Sequence, residues 1–262
     1  MRRWITALIV LGMAGAGVAT AAPAAVAANP SCLVVDTPSD QSYPSLQAAV
    51  NAAAAGDTLF VKGTCTGETD IRTSLTITGQ SNGGTKTATL DAAGADEAIF
   101  IFGDITVTLN TLIITNAAIS GILNDGLSVT LNNSTVTGTA TTTPPNPRSS
   151  GGGIANYGDT VTLNNSSVTG NNTGFFGGGI ENRGTLTLNG NSTVTGNTAF
   201  DGGGIANDGG TTTLNGSSTV TGNTASDDGG GIYNSCGTLN GAVPGTGGNV
   251  FGNTPDDIVS SC

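Results

Sequence analysis

The sequence predicts an all-β solenoid, a parallel β-helix built from coils of about 25 residues with three short strands each. Three observations predict it. The segment "GGGI" recurs at 151, 177, 202 and 229, and its isoleucines (Ile154, Ile180, Ile205, Ile232) follow one another at intervals of 26, 25 and 27 residues. A fixed period of this size is the mark of a repeat architecture. Within each copy the apolar residues alternate with threonine, as in "GTLTLNG" and "STVTGN", which is the period of a strand and not of a helix. The 42 glycines recur in register with ordered apolar residues, so they punctuate strands and do not signal a disordered tract.

The N-terminal residues come first. Arg2 and Arg3, an apolar run from Ile5 to Val18, and "AAPAAVAANP" with small residues near Ala27 read as a secretory signal peptide, residues 1–28. The expectation is a secreted, extracellular protein with no membrane insertion after signal cleavage. Residues 29–262 then form a single domain. Five basic residues (Lys62, Arg72, Lys86, Arg148, Arg183) face eighteen acids there, which excludes nucleic acid as a partner. The chain has no histidine, so Ser-His chemistry and a zinc site of the usual ligands are closed to it.

The one helix candidate is residues 43–55, in "YPSLQAAVNAAAAGDTLFV". Ser45 can cap it, Leu46, Ala49, Val50 and Ala53 share a face, and Gly56 ends it. Such a helix would cover the open first coil. Strand-like segments "LFVKG" and "SLTITG" follow, then "AIFIFGDITVTLNTLIITN" and "SGILNDGLSVTLNNSTVTGT", which keep the strand pattern of the later copies. An insertion at 139–150 separates these from the four regular copies, and 236–262 forms the C-terminal cap. Asn124, Asn156, Asn182, Asn207 and Asn234 fall two residues after the isoleucine of each copy. Asn110, Asn132, Asn164, Asn189, Asn215 and Asn240 follow its leucine. Stacked at turns, both sets can form amide ladders.

About seven coils at roughly 4.8 Å per rung hold the two ends some 30–40 Å apart. Among four cysteines in an exported chain, Cys32–Cys65 and Cys236–Cys262 are then the feasible disulfides, one at each end.

With the pattern in place, a resemblance can be stated. "PSLQAAVNAAAAGDTLFVKGTCTGETDIRTSLTITG" resembles the first coil of pectin-lyase-like right-handed β-helix proteins. The "GGGI-x-N…TLTLN…STVTGNTA" units resemble polymorphic-outer-membrane-protein-type repeats, and "GGNVFGNTPDDI" resembles their closing coil. The resemblance implies right-handed coiling. It leaves function open, since that superfamily mixes polysaccharide lyases, glycoside hydrolases and adhesins.

Three functional expectations follow. The first is a non-catalytic extracellular role in binding, adhesion or surface structure, with an extracellular polysaccharide or cell-surface component as partner. Phe175, Phe176, Phe200 and Tyr157, clustered at turns, would be its aromatic contacts. The second is a calcium-dependent, pectate-like polysaccharide lyase. Asp201, Asp227 and Asp228 border the glycine triplets and offer oxygen ligands for Ca2+. The Gly-His-Gly and Arg-x-Lys of the related hydrolases are missing, and a solvated acidic turn is the plainer reading. Lys62, Arg72, Lys86, Asp91, Asp96 and Glu97 are the residues from which a cleft in the less regular coils would be built. The third is ice binding through Thr-x-Thr columns: Thr106, Ser128, Thr160, Thr185 and Thr211 in one rank, Thr108, Thr130, Thr162, Thr187 and Thr213 in the next. Thr212 occupies a slot that should point inward.

Overall fold

In a computed structural model, the chain is a parallel β-solenoid of about seven turns. The structure describes residues 32–80, 88–140 and 151–262. The expected leader (1–28), Lys86 and the insertion beyond Ala140 lie outside the described residues. Three parallel ladders run along the axis. The first carries the Ile-x-Asn strands, from Thr69–Ile71 through Ile154–Asn156, Ile180–Asn182 and Ile205–Asp208 to Ile258–Ser261. The second carries the Thr-x-Thr-x-Asn strands such as Thr160–Asn164 and Thr185–Asn189. The third carries the Thr-Val-Thr strands such as Thr193–Thr195.

Alternation decides what goes inside. Ile99, Ile122, Ile154, Ile180, Ile205 and Ile232 stack one above another on the first ladder, all fully buried. Leu109, Leu131, Leu163, Leu188 and Leu214 do so on the second, and Val136, Val168, Val194, Val220 and Val250 on the third. Stacking like on like lets side chains of the same shape pack against one another at every rung.

Two corners are set by left-handed residues. After the second ladder, Thr111, Asn133, Asn165, Gly190, Gly216 and Gly241 have φ between 49° and 70°, and after the third, Gly138, Gly170, Gly196, Gly222 and Gly252 have φ between 63° and 69°. The glycine triplets make the third corner. Their middle and last residues have no room for a side chain: a Cβ at Gly152 would lie 2.6 Å from the Gly178 carbonyl, and one at Gly204 would lie 2.5 Å from the Gly231 carbonyl. Each triplet stacks directly on the next, so the triplet is a bend, with the strand beginning at the isoleucine.

The asparagines after the isoleucines point inward. Asn124, Asn156, Asn182 and Asn207 each donate from Nδ2 to Oδ1 of the next, at 2.7–2.8 Å, and all four are fully buried. Those after the leucines form the same ladder on the outer surface, from Asn110 to Asn215 at 2.8–2.9 Å. The rank ends there, because Asn240 donates to Thr213 Oγ1 instead. A further internal ladder, Asn171–Asn197–Asn223–Asn253, joins the "TGN" corners. Thr212 does point inward, and its hydroxyl donates to Asn207 Oδ1 at 3.0 Å, so the inner amide ladder satisfies it.

Both expected disulfides are present, Cys32–Cys65 and Cys236–Cys262. The helix is shorter than expected, Leu46–Ala52 in place of 43–55, because the strand Gln41–Tyr43 occupies its predicted start. Ser45 caps it by accepting from the Ala48 N–H. Gln47 then seals the open edge of Thr69–Ile71: its side-chain amide accepts from Asp70 N at 2.7 Å and donates to Asp70 O at 3.2 Å, as a neighbouring strand would. Cys32–Asp36, antiparallel to Thr58–Thr66, covers the edge of the second ladder. No helix among the described residues is long and apolar enough to cross a membrane.

Candidate functional site

The threonine ranks lie where the period places them. Thr106, Ser128, Thr160, Thr185 and Thr211 are Cα partners in one unbroken column, which continues to Thr238. Thr108, Thr130, Thr162, Thr187 and Thr213 form the next, extended below by Thr76 and Thr58. The outer asparagine ladder flanks them. Every position of those two columns is Thr or Ser.

A concave feature sits over the first ladder. The residue between Ile and Asn points outward, and the column of these positions reads Leu123, Ala155, Glu181, Ala206, Tyr233. Ala206 is a gap between two large neighbours. Over it lies a cavity of about 240 Å3, lined by Phe176, Glu181, Arg183, Asp201, Ala206, Asp208, Tyr233 and Ser235. The residues form a grid across three rungs. Glu181, Ala206 and Tyr233 are the floor. Phe176 and Asp201, paired in adjacent coils, form the wall on the glycine-bend side. Arg183, Asp208 and Ser235, in the slots after the inner asparagines, form the opposite wall.

The floor is electrostatically built. Glu181 is 1% exposed. Its Oε1 accepts from Arg183 at 2.9 and 3.1 Å, and its Oε2 accepts from the Tyr157 hydroxyl at 2.8 Å. The Arg183 guanidinium lies 4.8 Å from the Tyr157 ring centre and also reaches Asp208 Oδ2 at 3.4 Å. The Tyr233 hydroxyl is tied to Ser261 at 3.0 Å, which fixes its ring. A buried carboxylate needs such partners to remain ionised.

Asp201 is 8% exposed, and its Oδ1 accepts from the Asp228 N–H at 3.0 Å. Burial pushes its carboxyl above the ordinary range; the Asp228 N–H opposes this, and the charges of Asp227 and Asp228 add to it. The turn does not gather Asp201, Asp227 and Asp228 into a metal-binding group, and no three His, Cys, Asp or Glu side chains among the described residues are so placed. Asp201 faces the cavity instead. Phe176 and Phe200 are exposed at the rim of the bend.

The cleft expected from the less regular coils does not assemble. Lys62 lies on the second ladder, while Asp91 is on the third, where it accepts from Ala93 N and Asn116 Nδ2. Arg72 stacks 3.9 Å over the Phe102 ring and pairs with Asp70 at 3.5 Å. Glu97 keeps the company of Asp96 and of Glu68 and Asp70. Burial first, then those three charges, pushes it up to about 7. Among the described residues, Lys62 and Asp91 therefore stand on ladders other than the first, beside which Arg72, Asp96 and Glu97 lie.

Sequence reasoning sets Arg183 beside the slot of Asp208, since each directly follows the inner asparagine of its copy, and that salt bridge is present. It missed Glu181, Ala206 and Tyr233. The available signal was the variable slot of "GGGI-x-N", which holds Ala, Glu, Ala and Tyr in four successive copies. Compared with protein-family models, curated proteins and solved structures, the chain finds no match.

Proposed function

We propose that the protein is secreted and acts outside the cell as a non-catalytic binding protein, holding a polysaccharide segment in the groove over Ala206. The observation that carries the reading is the groove's make-up. A small residue opens a slot one rung wide, an anchored Tyr233 and an exposed Phe176 supply faces for a sugar ring, and Glu181, Arg183, Asp201 and Asp208 supply polar contacts. Pockets that combine apolar walls with a few fixed polar groups are the usual form of small-ligand sites. Two disulfides suit an oxidising compartment. Ala206→Phe fills the slot from the outside, leaving the core alone. Binding to an array of cell-wall and matrix glycans should fall at least tenfold in that variant and in Tyr233→Ala. Undiminished binding by both would refute the groove.

The threonine face favours a second reading. Seven threonines in one column, at about 4.8 Å per rung and with a second column about 7 Å away, form a regular uncharged lattice of methyl and hydroxyl groups. Such a lattice suits ordered water at an ice surface. Thermal hysteresis in the purified protein, lost in Thr187→Tyr, would support it; growth of unshaped ice crystals at high protein concentration would remove it.

A further inference from the structure

We infer that the groove selects glycans carrying free amino groups, with a sugar ammonium docking between Asp201 and Asp208 while the ring lies over Ala206 against Tyr233. This deepens the binding reading above and rests on it.

The charge inventory of the cavity leads there. Three carboxylates, Glu181, Asp201 and Asp208, line it against the single cation Arg183. Glu181 and Arg183 are spent on each other at 2.9 Å, and Tyr157 takes the second oxygen of Glu181. That leaves two acids. Asp208 is 57% exposed, and its contact with Arg183 is the longer one at 3.4 Å. Asp201 is more than nine-tenths buried and lines the cavity. Its Oδ1 is held by the Asp228 N–H, and no hydrogen bond engages its Oδ2. A carboxylate oxygen that opens on the cavity without a hydrogen-bond partner can take a donor from a ligand, and a charged donor makes the stronger bond.

The surroundings favour the same sign of charge. Asp227 and Asp228 adjoin Asp201 along the bend, and the whole chain carries a net charge of −11. A polyuronate would bring carboxylates against this wall with no unpaired cation in the cavity to meet them, so the groove repels pectate-like chains. A neutral sugar could donate a hydroxyl to Asp201 and would leave the excess negative charge uncompensated. An amino sugar supplies donor and charge together, and its ring uses the Tyr233 and Phe176 faces.

The test is calorimetric titration of the disulfide-bonded protein at mildly acidic pH with three defined hexamers: glucosamine, N-acetylglucosamine and galacturonate. The glucosamine hexamer should bind at least tenfold more tightly than the acetylated one, and the galacturonate hexamer should not bind. Asp208→Asn and Asp201→Asn, which keep the side-chain shape and one acceptor oxygen but remove the charge, should abolish that preference, the affinity for the glucosamine hexamer falling at least tenfold and that for the acetylated hexamer much less. Asp104→Asn, which lies outside the cavity, should change nothing; an equal loss there would reduce the preference to non-specific attraction and overturn the proposal. Equal or tighter binding of the acetylated or galacturonate hexamer, lost in Ala206→Phe, would overturn the amino-sugar selection and leave the groove standing. No binding of any hexamer, with Ala206→Phe indistinguishable from the parent on every glycan, would remove both. Oligolysine binding as tightly as the glucosamine hexamer, through the same two aspartates, would overturn the assignment of a glycan.

Discussion

Asn156 and Asn164 sit eight residues apart in one coil and make the same ladder bonds on opposite sides of the wall. Asn156 accepts from Asn124 Nδ2 and donates to Asn182 Oδ1, both at 2.8 Å, and is fully buried. Asn164 donates to Asn132 Oδ1 at 2.8 Å and accepts from Asn189 Nδ2 at 2.9 Å, on the half-exposed outer face. Truncating Asn156 to alanine leaves Asn182 Oδ1 with no donor and Asn124 Nδ2 with only the Thr160 carbonyl at 3.5 Å. Each orphaned buried group costs about 1–3 kcal/mol, and the vacated volume adds to that, so Asn156→Ala should lose about 3–5 kcal/mol. After Asn164→Ala, water reaches both freed groups, and the loss should stay below about 1 kcal/mol. Equilibrium urea unfolding with circular dichroism detection reads both as shifts in midpoint at constant slope. Equal losses in the two variants, or a loss under about 1 kcal/mol in Asn156→Ala, would refute the claim that the inner ladder is held together by the absence of competing water.

Three further predictions concern bends, ends and pH. Gly203→Ala places a Cβ against the Thr224 carbonyl and 2.7 Å from the Gly230 carbonyl, so this variant should yield little folded protein. Gly174→Ala meets nothing within 4 Å and should change unfolding by less than about 0.5 kcal/mol. Reducing the disulfides opens loops closed over 33 and 26 residues, worth about 3.5 kcal/mol each by loop entropy; a urea midpoint insensitive to reductant would contradict that. Glu97, pushed from 4.5 up to about 7, binds its proton more tightly in the folded state. Its stabilising contribution is therefore full below pH 4.5 and is lost as pH rises through about 7. The shift corresponds to about 3 kcal/mol before discounting, and partial exposure and screening reduce this to about 1 kcal/mol. Glu97→Gln should flatten that slope, and an unchanged pH profile of unfolding would count against the cluster.

The reach of the sequence differed along the chain. Where the period is regular, from Ile154 onward, the order of residues fixes their columns. A coil that repeats after 25 to 27 residues must place equivalent residues on adjacent rungs, because parallel strands pair in register or not at all. Ile stacks, threonine ranks and both asparagine ladders were legible for that reason, and the two cysteine pairs because the stacked coils hold the chain ends apart. In the first coils the period decays. There the helix bounds moved inward, the antiparallel strand Cys32–Asp36 went unforeseen, and Lys62 and Asp91 of the supposed cleft went to ladders other than the one beside Arg72 and Glu97.

The groove lay beyond the period altogether. Periodicity states which rung a residue occupies and which face its strand presents. It does not state how far a turn leans sideways, or whether a slot is filled or left open by its neighbours. Asp201 was visible as an acid beside a triplet, and only the tertiary structure turned it from a metal-ligand candidate into one wall of a cavity. Ala206 was ordinary repeat filler until Glu181 and Tyr233 stood on either side of it. By itself the sequence determined the translational order of this solenoid, because hydrogen-bonded register enforces it. The tertiary structure decided its lateral relief, the cavity over Ala206 included, because that depends on the packing of side chains across rungs.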